Sequence, residues 1–161
     1  MNRKTPIRVL FVCMGNICRS PMAEAVFRSL VKEAGLASTF EIASVGTGSW
    51  HVGERPHPGT QAILQRNGIS VGDKRAQRLS PSDLDYYDYI IAMDQENIDD
   101  MAQIHSTAPR GEIHRLLEFA PSGGSLDVPD PYYTGCFDRV YDLVTAGCQG
   151  LLGYIRNRER V

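Results

Sequence analysis

No stretch of this chain approaches the roughly 18 consecutive apolar residues of a membrane span. The short apolar start, MNRKTPIRVLFV, has no small-residue cleavage site behind it, so neither a membrane anchor nor a secretory leader is expected. Cysteine is scarce, with four residues in 161 (Cys13, Cys18, Cys136 and Cys148), which excludes a disulfide scaffold and points to free thiols in a reducing cytoplasm. The net charge of −2 gives no global attraction to nucleic acid. His51, His57, His105 and His114 show no ligand pairing and are expected at the surface, so no metal is implied. GTGSWHVG fails the G-x-G-x-x-G spacing and no Gly-Lys-Ser/Thr occurs, so no nucleotide or other cofactor is implied. Internal repeats, low-complexity tracts and a linker between two cores are also missing.

What is present is the composition of one ordinary domain over residues 1–161, with 42% hydrophobic and 22% charged residues. A chain of this length buries about 68–70% of its unfolded surface and needs no staples. IRVLFV (7–12) is a continuous apolar run of the kind that forms a strand covered on both faces. After it, Ser20 reads as a helix N-cap and Pro21 as the first helical residue, with an apolar stripe through Met22, Val26 and Leu30 that stops at Gly35. Further strands are expected at 40–48, 87–94 and 112–119, and further helices at 58–67, 95–104 and, despite three glycines, 136–158. Cys136 and Cys148 fall on that last helix and read as structural. Strands alternating with helices predict a three-layer α/β domain with a parallel sheet, whose ligands bind at the carboxyl ends of the strands. Cys13 sits at such an end, and the long loop APSGGSLDVPDPYYTG is of a kind that usually carries function.

The seven residues from Cys13 to Arg19 (CMGNICR) can wrap so that their amides converge with the positive end of the following helix. The ligand expected in such a nest is a tetrahedral oxyanion held by Met14, Gly15, Asn16, Ile17, Cys18 and Arg19. Gly15 and Asn16 tolerate the unusual φ values of a tight loop. Arg19 brings a planar fork that grips two oxygens at once. The same positive surroundings favour a thiolate at Cys13, a nucleophile facing a bound phosphate. An acid is then needed for the departing oxygen. Asp130, followed by a rigid proline, is the first candidate and Asp127 the second; Tyr132 and Tyr133 would line the mouth. Asp94, at a strand end, reads as a group that orients the loop or caps the next helix.

VLFVCMGNICRSPMAEAVF together with the distant DPYY, SWHVG (49–53) and YDYIIAMD (87–94) resembles the low-molecular-weight protein tyrosine phosphatases over nearly the whole chain. The resemblance implies a four-stranded parallel sheet in order 2-1-3-4, flanked by helices. It implies Cys13 as the nucleophile that becomes a phosphocysteine, Arg19 as the clamp and Asp130 as general acid and then base. Asn16, Ser20 and Ser44 would hold the loop in shape, and Trp50, Tyr132 and Tyr133 would recognise an aryl ring. Ile17, where resembling phospho-arginine phosphatases carry threonine, favours phosphotyrosine. The animal members' network histidine has Asp73 in its place here.

The implied substrates are phosphotyrosine-containing proteins. Arsenate reductase and phospho-arginine phosphatase are alternatives on the same fold, and a phosphotyrosine-docking module without hydrolysis is a third. Arsenate reductases use relay cysteines near the third strand, and residues 79–95 contain none. A pure docking module has no use for Asp130. Cys18 reads either as a small buried side chain or as a thiol that captures an oxidised Cys13, in which case a thioredoxin-like reductant becomes a partner.

Overall fold

The computed structural model describes residues 5–104, 109–121 and 124–161; His105 lies outside them. Four parallel strands, β1 (Ile7–Cys13), β2 (Phe40–Gly46), β3 (Tyr89–Ala92) and β4 (Glu112–Arg115), lie in the order β2-β1-β3-β4. The helices are α1 (Arg19–Glu33), α2 (Pro58–Arg66), α3 (Pro81–Tyr86), α4 (Gln95–Ile104), α5 (Pro131–Thr134) and α6 (Phe137–Glu159).

The unbroken apolar run of β1 is explained by its central position. Ile7, Val9, Phe11 and Cys13 face one core with α1 and α6, while Leu10 and Val12 face the other with Ile90, Leu84 and Met101. Phe11, Phe27 and Phe40 pack edge to face at 5.5 and 5.7 Å, each such pair worth about 0.5–1.5 kcal/mol beyond its area. Among the described residues no helix is long and apolar enough to cross a membrane.

The chain leaves β1 toward β2 on one side and later returns to place β3 on the other. The connections after β1 and β3 therefore diverge, and a crevice opens at the carboxyl ends where the order reverses.

Several local expectations are corrected. α1 begins at Arg19, before Ser20, because the Ser20 hydroxyl is turned onto Cys13 rather than capping the helix. Residues 112–119 are strand only to Arg115; Leu116–Phe119 form a 3-10 turn with Leu116 and Leu117 buried. α3 was not expected, although Ser80, Pro81 and Asp83 make a capping box with proline at its start. Cys136 precedes α6 and is exposed, whereas Cys148 is buried inside it. The α6 glycines have a packing reason: a Cβ on Gly147 would lie 2.6 Å from Leu116 Cγ, and one on Gly150 would overlap the Phe119 carbonyl.

Candidate active site

Cys13 is 3% exposed at the floor of the crevice. Its sulfur accepts the Asn16 N–H at 3.2 Å and lies 2.9 Å from Ser20 Oγ. Within the loop from Cys13 to Arg19 Asn16 alone takes the left-handed conformation, at φ 56°; Gly15 does not need it. That turn sends the Asn16 side chain behind the loop instead of into the cavity. There Nδ2 donates to Ser20 Oγ at 2.8 Å and to Ser44 Oγ at 3.0 Å, and Oδ1 accepts the Gln77 N–H at 2.9 Å. The loop-supporting trio implied by the family resemblance is thus brought together, with a fourth member from the 70–80 segment. No side chain among the described residues caps α1, so its first-turn amides stay available to an anion.

The end of β2 holds the loop from the other side. Thr47 N–H donates to the Cys13 carbonyl and Gly48 N–H to that of Met14, both at 2.9 Å. A Cβ on Gly46 would stand 2.6 Å from the Met14 oxygen, a backbone atom that cannot move aside cheaply. Gly46→Ala is therefore expected to cost about 1–3 kcal/mol, as overpacking does. The measurement is the urea midpoint at unchanged slope.

Arg19 is 3% exposed. Its Nη1 donates to Asp94 Oδ2 at 2.5 Å and to the Val128 carbonyl at 3.0 Å, and Nη2 is 3.5 Å from Asp130 Oδ2. Burial works against the charge, but the Cys13 sulfur, the Asp94 hydrogen bond and the charges of Asp94 and Asp130 outweigh it and hold the guanidinium above its usual value. Asp94 performs both tasks foreseen for it, since its Oδ1 also accepts the Asn97 N–H at 2.9 Å in the first turn of α4. The Arg19–Asp94 pair bridges the connections after β1 and β3, across the point where the strand order reverses.

Asp130 caps α5. Its Oδ1 accepts the Tyr132 N–H at 3.0 Å, which fixes Asp130, Tyr132 and Tyr133 as one unit. Asp127 is placed elsewhere, accepting from Gln95 N–H and Arg115 outside the cavity.

The cavity measures about 520 Å³. Cys13, Met14, Gly15, Ile17, Cys18 and Arg19 form its floor, and Trp50, Tyr132 and Tyr133 stand at its rim, 71%, 51% and 72% exposed, with Asp130 between. Three large aromatics left this exposed around one cavity make an apolar rim. Burial, with the neighbouring Asp130 and Cys13, pushes the Cys18 thiol up to about 12, so it stays protonated beside Cys13.

Two histidines correct the expectation of plain surface residues. His51 lines the cavity beside Trp50, with its Nδ1 2.9 Å from Glu54. His57 accepts the Gly59 N–H at the start of α2 and stacks on Phe137 at 5.0 Å. The only sequence signal for His51 was its place in SWHVG. Asp73 is exposed and does not enter the network. Its neighbour Lys74 does, donating to the Ser44 carbonyl at 2.7 Å.

Fold and loop together place Cys13 and Arg19 on one cavity in the crevice of a parallel α/β sheet. Residues 8–161 match the family model described as low molecular weight phosphotyrosine protein phosphatase, and the chain belongs to that family. It is 48% identical over 155 residues to the low molecular weight protein-tyrosine-phosphatase YfkJ of Bacillus subtilis, covering 96% of this chain and 99% of that one. The crystal structure of YfkJ superposes with a TM-score of 0.94 over 98% of this chain and 99% of the other. The relative named PtpA from Staphylococcus epidermidis is 48% identical over 92% of this chain and 94% of its own. A Drosophila structure named as an arginine phosphatase has a TM-score of 0.85 at 31% identity, covering 93% and 98%.

Proposed function

We propose that this chain is a single-domain protein tyrosine phosphatase over residues 1–161, hydrolysing phosphotyrosine in proteins, and small aryl phosphates, without metal or cofactor, in a reducing cytoplasm. The Cys13 thiolate attacks phosphorus, so that an S–P bond forms as the ester P–O bond breaks. Asp130 gives its proton to the departing oxygen. The Asp130 carboxylate then takes a proton from water, which attacks phosphorus and breaks the S–P bond. Arg19, tied from behind by Asp94 and the Val128 carbonyl, presents the rest of its fork to the phosphoryl oxygens.

The observation that carries this reading is the convergence of Cys13, Arg19 and Asp130 on one cavity with an aromatic rim. The sulfur's depth adds selectivity, since a long aryl ester reaches it and a short alkyl ester does not. The test is phosphate release from a phosphotyrosine peptide and from p-nitrophenyl phosphate with EDTA present, against a phosphoserine peptide. Turnover of the first two alone, blocked competitively by vanadate, is expected. A metal requirement, or equal turnover of phosphoserine, refutes the reading.

Likeness to the Drosophila arginine phosphatase supports a second reading, hydrolysis of phosphoarginine. Ile17 bears on the choice. It is 6% exposed, lines the floor and packs with Cys18 and Ala76, leaving an apolar wall with no hydrogen bond to offer a guanidino nitrogen. Ile17→Thr is expected to move the phosphoarginine to phosphotyrosine ratio of kcat/KM upward by about 10-fold or more, the scale of one-group discrimination in a pocket. Phosphoarginine already preferred by the wild type reverses the order of the two readings. For arsenate reduction the support is thinner, because Cys18 is the only other cysteine on the cavity among the described residues.

A further inference from the structure

Two largely covered charges behind the loop have no part in the steps above. Glu24 on α1 and Lys74, between α2 and α3, keep only 14% and 11% of their side chains exposed. They meet at Ser44. Its hydroxyl donates to Glu24 Oε1 at 2.6 Å, and Lys74 Nζ donates to its carbonyl at 2.7 Å. The ammonium is 3.9 Å from the same Oε1, while Arg28 holds Oε2 at 2.8 Å. Buried ion pairs rarely add net stability, because desolvation offsets their attraction. Their placement matters more than their strength here.

We propose that Glu24 and Lys74 are positioning residues that set the direction of the hydrogen-bond chain ending on Cys13. A hydroxyl has one proton. Because Ser44 gives its own to Glu24, its oxygen faces Asn16 as an acceptor, and Asn16 Nδ2 fills it. The second Nδ2 hydrogen goes to Ser20 Oγ, and the Gln77 N–H on Oδ1 keeps the amide from turning over. Ser20, having accepted, has its proton free for the sulfur 2.9 Å away. Every link thus points from donor to acceptor in the sense that stabilises a thiolate, and the carboxylate is its far anchor. Lys74 supplies the counter-charge and pins the Ser44 main chain two residues before Gly46, which pairs with Cys13. Burial draws the Lys74 ammonium below its usual range, Glu24 and the Cys13 sulfur act in the opposite sense, and Arg28 adds to the lowering.

The inference rests on Cys13 being the nucleophile, and its test separates the two claims. Wild type, Glu24→Gln, Lys74→Met and Lys74→Arg are alkylated with iodoacetamide at mildly acidic and at alkaline pH, and the Cys13 peptide is quantified by mass. The ratio of acidic to alkaline rates is expected to fall about tenfold in Glu24→Gln and Lys74→Met, equivalent to one unit of ionisation. In Lys74→Arg it returns most of the way. kcat for p-nitrophenyl phosphate falls in parallel with little change in KM. An unchanged ratio in folded variants with lowered thermal midpoints means the pair only supports the fold and overturns the proposal. Should Glu24→Gln not fold, the two Lys74 variants decide by the same ratio. An inactive wild type counts against the reaction; alkylation reads the sulfur without turnover.

Discussion

Cys13→Ser is expected to abolish hydrolysis of aryl phosphates, with a loss on the order of 10⁵–10⁶ in kcat, the scale seen when an enzyme loses its nucleophile. The reason is in the neighbours. Asn16 N–H donates to the sulfur and the Ser20 hydroxyl lies 2.9 Å from it, so its contacts suit an anion and offer no base to make one. A serine hydroxyl in the same place needs a general base that the floor of the cavity does not provide. Binding is a separate property. The loop amides and Arg19 remain, so orthophosphate should still bind within a few-fold of wild type by calorimetry. The thermal midpoint should also hold, because the serine oxygen can pair with Ser20 in the space the sulfur leaves. Turnover within about tenfold of wild type at unchanged phosphate affinity would remove Cys13 from the reaction.

Legibility in the sequence followed distance along the chain. Cys13, Arg19 and the cradle between them lie in one seven-residue segment, so residue types and spacing were enough to propose an anion site there. The burial of β1 and β3 on both faces was equally local, being written in their uninterrupted apolar runs. Partners brought in by the sheet were not local. Asp94 reaches Arg19 from after β3, and Gln77 reaches Asn16 from a segment without regular structure. Nothing in either segment alone announces the contact. Lys74 shows the limit sharply: Asp73 and Lys74 are neighbours, and only the backbone path decides which turns inward. At Leu116–Phe119 the apolar pattern fitted a strand, but the chain turns over the α6 glycines instead, a choice made by packing and not by propensity. Ser44, Trp50 and the sheet order were reached through the family resemblance.

The proposed role of Asp130 makes a different kind of demand, since it concerns the departing group and not the phosphorus. In Asp130→Asn the amide oxygen can still take the Tyr132 N–H, so the α5 cap and the aromatic rim stay in place. What disappears is a proton to give, and with it a carboxylate 3.5 Å from the Arg19 fork. For phenyl phosphate, whose phenoxide leaves poorly, kcat/KM should fall by about 10²–10⁴, the usual worth of a positioned acid. For p-nitrophenyl phosphate the fall should be much smaller, because nitrophenolate departs without help. The decisive measurement is therefore the slope of log kcat/KM, which reads only the step that forms the phosphocysteine, against leaving-group basicity, shallow in wild type and steep in the variant. If kcat/KM instead fell by the same factor for every ester, the lost quantity would be the carboxylate's hold on Arg19. Proton transfer would then belong to another group, and the reaction scheme would keep its nucleophile and clamp but lose its acid.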